Sequence, residues 1–326
     1  MEWERFCEYA TTCREGGGFA NVRPCLDKNI FYYTGKTSKG RFLKNMKRPV
    51  YYFLIIILFY FIGSVIYTIV SAYKVPENNL DSFLKSEDKT PKRYVVFLGD
   101  SITHGTVSYN YVQSLSENPK LKNFTFVNEG INSRLTYQIL EKVDDTIRLS
   151  PEHIFILIGT NDAKAALNEE EYKGYNSLWN LPEVPNISTY EKNLKVIVAL
   201  LKAETKAKIH LISIPVLGES LNSIPLKQSI AYSNVIRNIA KESNSYYIPL
   251  NETLVADLKN RPDQTEGEYT RNTLKMYWII FKHFGLFQSW DKISDQSDLI
   301  FMTDGIHMNS RAGKILEEMI QKDLKE

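Results

Sequence analysis

Cysteine and histidine are both scarce in this chain. Only three cysteines occur in 326 residues, Cys7, Cys13 and Cys25, all within the first 49. Everything beyond is therefore without disulfides or thiolate metal sites. The spacing offers neither a Cys-x-x-Cys pair nor an adjacent histidine pair, so ordinary reduced thiols are expected and no metal or other cofactor is implied. Five histidines, at 104, 153, 210, 283 and 307, limit any imidazole chemistry to five candidates. Also missing are internal repeats, low-complexity tracts and a strongly basic run in the C-terminal region. With a formal net charge of +2, no nucleic-acid partner is called for.

What the chain does have is one long apolar run. Val50 to Tyr73 is 24 residues without a charge, and as a helix it would extend about 36 Å, enough for a hydrocarbon core of about 30 Å. A helix packed on one side of a soluble core would show a polar stripe, which this run lacks. Six basic residues precede it (Lys36, Lys39, Arg41, Lys44, Lys47, Arg48) and two follow it within the same distance (Lys74, Lys85). That bias predicts a single-pass membrane protein with a cytoplasmic N-terminus and the rest of the chain outside the cytoplasm. Met46-Lys-Arg-Pro has the form of a secretory-signal start and Val70-Ser-Ala72 that of a cleavage site. The length of the run favours an uncleaved anchor. The expected organisation is a cytoplasmic extension at 1–49, a transmembrane anchor at 50–73, a polar, proline-bracketed stalk at 74–91 and one globular domain at 92–326.

Within that domain strand-like and helix-like segments alternate, which predicts parallel βαβ units. Strands are expected at Tyr94 to Leu98, Phe124 to Asn128, Ile154 to Ile158, Ile209 to Ile214 and Tyr246 to Pro249. Amphipathic helices are expected at Ser133 to Leu149, Ser229 to Ser243 and Ser310 to Leu324, with another opened by the capping pattern Ser188-Thr-Tyr-Glu191. Five parallel strands with helices on both faces make an α/β fold, a three-layer α/β/α, flavodoxin-like sandwich preceded by one transmembrane helix. Ala163 to Pro185 reads as a long loop, either simple surface packing or a wall of the substrate site. Tyr269 to Trp290, dense in aromatics, reads as a helix packed on the core, with an acyl-binding lid or a membrane-contacting surface as the alternative.

The most informative stretch is Tyr94-Val-Val-Phe-Leu-Gly-Asp-Ser-Ile-Thr-His-Gly105. An apolar run breaks into a glycine-bracketed turn that would leave the Ser101 hydroxyl at the carboxyl end of a strand. Three later sites also follow apolar runs: Gly130, Gly159-Thr-Asn-Asp162 and Asp304-Gly-Ile-His307. In order and spacing these four blocks resemble those of the SGNH hydrolase superfamily, the GDSL esterases and lipases. By that resemblance Ser101 is the nucleophile, Gly130 and Asn161 complete an oxyanion hole with Ser101, and His307 with Asp304 forms the base.

The chemistry asks for the same residue types. A serine hydroxyl is a poor nucleophile until an imidazole takes its proton, and Asp304, three residues before His307, can fix that ring's tautomer. The tetrahedral oxyanion needs donors placed in advance, which the Ser101 and Gly130 amides and the Asn161 side chain could supply. His104 reads as shaping the site, and His153, His210 and His283 as structural or exposed. Asp100 and Asp162 read as turn caps. The expected function is a membrane-anchored serine ester hydrolase acting through an acyl-enzyme on an O-acyl glycan or lipid ester. The alternatives are acyl transfer to a carbohydrate hydroxyl from the same site, and a non-catalytic binding protein of the same fold.

Overall fold

Alternation along the central strands decides the layering. In β1 (Arg93–Gly99), Val95 and Phe97 join one apolar cluster while Val96 and Leu98 join another on the opposite face, as a period of two requires. The computed structural model describes residues 48–87, 90–261, 267–269 and 271–325. The chain separates into the units Met1–Phe53 and Leu54–Glu326. β2 (Phe124–Gly130), β3 (His153–Leu157), β4 (Lys208–Ile212) and β5 (Tyr246–Ile248) complete a sheet of order β2-β1-β3-β4-β5 in which every pair is parallel.

Each face of the sheet is covered by helices. One cluster takes Leu194, Ile197 and Leu201 from Ile187–Glu204 and Ile236 and Ile239 from Ile224–Glu242. The other takes Leu254 and Leu258 from Leu250–Asn260 and Leu316 and Ile320 from Ser310–Asp323. This is the three-layer sandwich expected. Register then levels the strand ends, since Gly99 of β1 pairs with both Gly130 and Leu157. The loops after β1, β2 and β3 therefore emerge at one rim, at the switch point where ligands bind in doubly wound sheets.

Several elements differ from expectation. The helix after Pro185 is capped by Asn186, whose side chain accepts from the Ser188 and Thr189 amides, so it begins two residues before the Ser188 pattern. An asparagine side chain reaches those N–H groups as readily as a serine's. Ser133 to Leu149 is not one amphipathic helix but a 3₁₀ turn, Thr136–Lys142, followed by Val143–Leu149. The span 163–185, read as loop, contains the helix Glu169–Trp179.

The stalk expected at 74–91 is not a free tether over its described part. Leu80 is wholly buried, its N–H donates to Glu129, and Asn78 bonds both to the Phe126 carbonyl and to the Asn128 amide. Of the polar side chains that suggested a tether, that of Asn78 bonds instead to the edge strand β2.

The 26-residue helix Arg48–Tyr73 precedes this segment. Over Arg48–Ser71 it is long and apolar enough to cross a membrane, with 6% of its most apolar stretch buried. Apart from Arg48 and Pro49, the N-terminal extension, with its cysteines, lies outside the described residues.

Candidate active site

β1 ends at Gly99, Asp100 caps the next turn through the Ile102 amide, and Ser101–His104 form a single helical turn closed by Gly105. Gly105 sits at φ +82°, where a β-carbon would also meet the Asn110 side chain at 2.5 Å. Only glycine allows so sharp an exit. The turn leaves Ser101 8% exposed, at the rim rather than under it.

The segment that brings a base to Ser101 is held by a residue with no motif. Residues 300–309 form a tight excursion closed by an antiparallel bridge between Met302 and Met308. The buried Glu219 carboxylate accepts the N–H groups of Ile300, Phe301 and Met302, and the Gly218 amide donates to the Gly305 carbonyl at 2.8 Å. Out of this excursion His307 Nε2 lies 3.0 Å from Ser101 Oγ, and His307 Nδ1 lies 2.8 Å from Asp304 Oδ2. The other Asp304 oxygen accepts the amides of Ile306 and His307, both at 2.9 Å, so the carboxylate is fixed at both ends. Nδ1 then carries the ring proton, leaving Nε2 as acceptor toward the hydroxyl.

Asn161 stands in the helix Thr160–Ala165 that follows β3. Its orientation is set on both sides, because the Tyr175 hydroxyl donates to its Oδ1 at 2.5 Å and its Nδ2 donates to the Arg134 carbonyl at 2.9 Å. A primary amide has two donor hydrogens, so one is left for a ligand.

Gly130 is placed differently from the role the resemblance implied. Its N–H donates to Asn128 Oδ1 at 2.9 Å, and a β-carbon on it would meet the His104 backbone at 2.1 Å. It is the contact that lets β2 lie against the nucleophile turn, and its donor is already used. Ser133, three residues on, lines the same cavity as Ser101, Asn161 and His307 and adopts φ +60° in the turn after β2. A serine in the left-handed region gives no signal by residue type, so sequence reasoning passed over it. Tyr175 and Glu219 are further positioning residues without a motif.

The cavity beside Ser101 has a volume of about 480 Å³ and is mostly apolar. A neighbouring, more polar chamber of about 250 Å³ shares Ser133, Lys164 and Tyr175 with it and carries Arg271, Lys275 and Glu171. No group of three potential metal-ligating side chains occurs among the described residues.

Charge is distributed unevenly around the site. Burial would raise the Asp304 carboxyl, but the His307 ring and two backbone amides outweigh it and hold it down at about 2. At Asp100 burial prevails over the Ile102 amide and pushes the carboxyl up to about 6. At Asp162 burial likewise prevails, here over two bonds from Thr136, and the value rises to about 7. Of the three carboxyls Asp304 therefore ionises most readily, which keeps a negative charge where it can stabilise an imidazolium.

A model of the GDSL-like Lipase/Acylhydrolase family matches residues 97–275. Among solved structures, a variant of the acetyl-xylooligosaccharide esterase Axe2 from Geobacillus stearothermophilus has a TM-score of 0.50 at 19% identity, covering 71% of this chain and 93% of that one. A lipase/acylhydrolase from Enterococcus faecalis gives 0.48 at 18%, covering 72% and 95%. At such identities the likeness to Axe2 speaks for the fold. No curated protein sequence matches the chain. The family match extends over more than half of the residues and begins inside β1, just before Ser101: this chain belongs to the GDSL-like lipase/acylhydrolase family, and with it to the carboxylic ester hydrolases.

Proposed function

We propose that the protein is a membrane-anchored serine ester hydrolase in which Ser101 is the nucleophile. The observation that carries this reading is the unbroken chain Ser101 Oγ, His307 Nε2, His307 Nδ1, Asp304 Oδ2, with links of 3.0 and 2.8 Å. As Oγ attacks the ester carbonyl carbon its proton passes to His307, and the imidazolium is stabilised by the adjacent Asp304 carboxylate. The oxyanion is received by the Ser101 amide and the free hydrogen of Asn161 Nδ2, with the Ser133 backbone as third donor in place of Gly130. His307 returns the proton to the leaving alcohol, and water, activated by the same ring, then frees the acid from the acyl-enzyme.

The charge-free helix at 50–73 serves as anchor for the domain at 92–326 in this reading. Its basic N-terminal flank supports a cytoplasmic N-terminus and a catalytic domain on the other side.

Hydrolysis of p-nitrophenyl acetate and butyrate by the full chain tests the proposal. Ser101→Ala is expected to remove turnover above the solution rate while circular dichroism stays unchanged. Equal turnover by variant and parent would refute it.

A further inference from the structure

The apolar helix is part of the wall of the active-site cavity. Val65, Thr68 and Ile69 line it on one side and Tyr277, Ile280 and Phe281 on another, with Ser101 and His307 between them. We propose that the substrate is a membrane-resident ester of a long acyl chain, drawn from the bilayer into this cavity between the two helices. This rests on the serine hydrolase reading above and gives that site its substrate class.

Length arithmetic sets the depth. A hydrocarbon core of about 30 Å takes about 20 helical residues, and any window of about 20 within Arg48–Ser71, from 48–67 to 52–71, contains residues 52–67. Tyr60, Phe61 and Tyr67 are then inside the bilayer, and each touches the helix Thr273–Phe284 or the turn after it. The Phe61 and Phe281 rings are 4.7 Å apart, those of Tyr67 and Phe284 are 5.9 Å apart, and the Tyr60 hydroxyl donates to the Gly285 carbonyl at 2.6 Å. The second helix is thereby carried to bilayer depth. Thr68 and Ile69 lie one and two residues beyond the segment 52–67 common to all such windows, at most about 3 Å along the axis, so the cavity opens at the membrane surface.

The surface of the second helix agrees with that position. Of its residues only Ile279 is buried, whereas Leu274 is 81% exposed and Phe287, just beyond it, is 83% exposed. Trp278 and Leu286 are exposed beside them, and Lys282 lies over the Trp278 ring at 5.9 Å. Aromatic and aliphatic side chains with snorkelling lysines are what a bilayer interface takes up. The end of the span is also tied to the nucleophile turn, since His104 Nε2 bonds to the Lys74 carbonyl at 2.9 Å. A long acyl chain fits the apolar cavity, and the polar chamber with Lys164, Arg271 and Lys275 suits its head group. The balance is that of ester hydrolysis: the acyl C–O bond breaks, water supplies the hydroxyl of the fatty acid and the proton of the released alcohol.

The test uses the full chain in phosphatidylcholine vesicles holding a fluorogenic long-chain glycerolipid ester, with p-nitrophenyl acetate assayed in parallel and Ser101→Ala as blank. Wild type is expected to cleave both. Leu274→Asp with Phe287→Asp is expected to keep acetate turnover within about twofold and lose tenfold or more on the vesicle lipid. Acetate cleavage without lipid cleavage, or equal effects on both substrates, overturns the proposal and leaves the hydrolase intact; acetate turnover equal to that of Ser101→Ala overturns the hydrolase reading itself. Independently, lipids brominated on the acyl chain are expected to quench the wild-type tryptophan emission more than that of Trp278→Phe. Equal quenching overturns the membrane contact.

Discussion

Asn161 can receive an oxyanion only if its amide is held the right way round, and Tyr175 together with the Arg134 carbonyl does this. Asn161→Ala is expected to lower kcat on a soluble ester by about a hundredfold to a thousandfold. Tyr175→Phe, which frees the amide to flip, is expected to cost several-fold in kcat with KM unchanged; an unchanged kcat would show that Asn161 needs no such support. The pH dependence follows from Asp304. Its folded value, about 2, lies below the ordinary 3.8, so its contribution to stability is complete above 3.8 and fades only as pH falls through about 2. Asp304 is therefore an anion from pH 8 to 5, and a fall of kcat/KM within that range is not expected to come from its protonation. At this scale the residues that the fold brings together, Ser101, His307 and Asp304, are legible because serine, histidine and aspartate advertise their chemistry by type. Ser133 gives no such signal, because its place beside the cavity follows from backbone conformation, and Gly130 reads as a site residue only through the resemblance.

Among the elements, the excursion 300–309 sets where the base stands, and its three amides converge on one carboxylate. Glu219→Ala would leave those N–H groups without that acceptor inside the protein, at a cost of roughly 3 kcal/mol or more. A fall in urea midpoint with a parallel loss of kcat is expected, whereas a stable variant with normal kcat would show that the excursion holds itself. At the other end of the sheet His153 Nδ1 and His210 Nε2 are 3.0 Å apart, and His210 Nδ1 is 2.9 Å from Asp323. Burial, with the neighbouring His210, lowers His153 to about 4. A histidine depressed below 6.5 favours folding in its neutral form, so this stability is present above 6.5 and lost as pH falls toward 4, by up to roughly 3 kcal/mol. His153→Phe is expected to shrink the difference between urea midpoints at pH 7 and pH 4.5, and an unchanged difference would assign the loss elsewhere. The five strands were readable in advance, being runs of β-branched and aromatic residues that a buried parallel sheet selects. The helix Thr273–Phe284 was readable as a helix but not in its packing, since apolar spacing reports an apolar face and not whether core or another helix covers it.

For the whole molecule, composition predicts two parts, a charge-free helix and an α/β domain, and the fold joins them more closely than a polar linker suggested. Asn78, Leu80 and the Lys74 carbonyl bind the chain directly behind the helix to β2 and to the nucleophile turn. Such bonds between residues far apart in sequence leave no local pattern, which is why 74–91 read as a stalk. The fold, in turn, gathers side chains from positions 101, 161 and 307 at one rim, the arrangement from which Ser101 is proposed as nucleophile. Labelling the full chain with a fluorophosphonate and locating the adduct by peptide mass spectrometry tests this most directly. A single adduct on Ser101, slowed a hundredfold or more in His307→Ala, is the expected result; an adduct on another residue, or labelling at the same rate without His307, would contradict it.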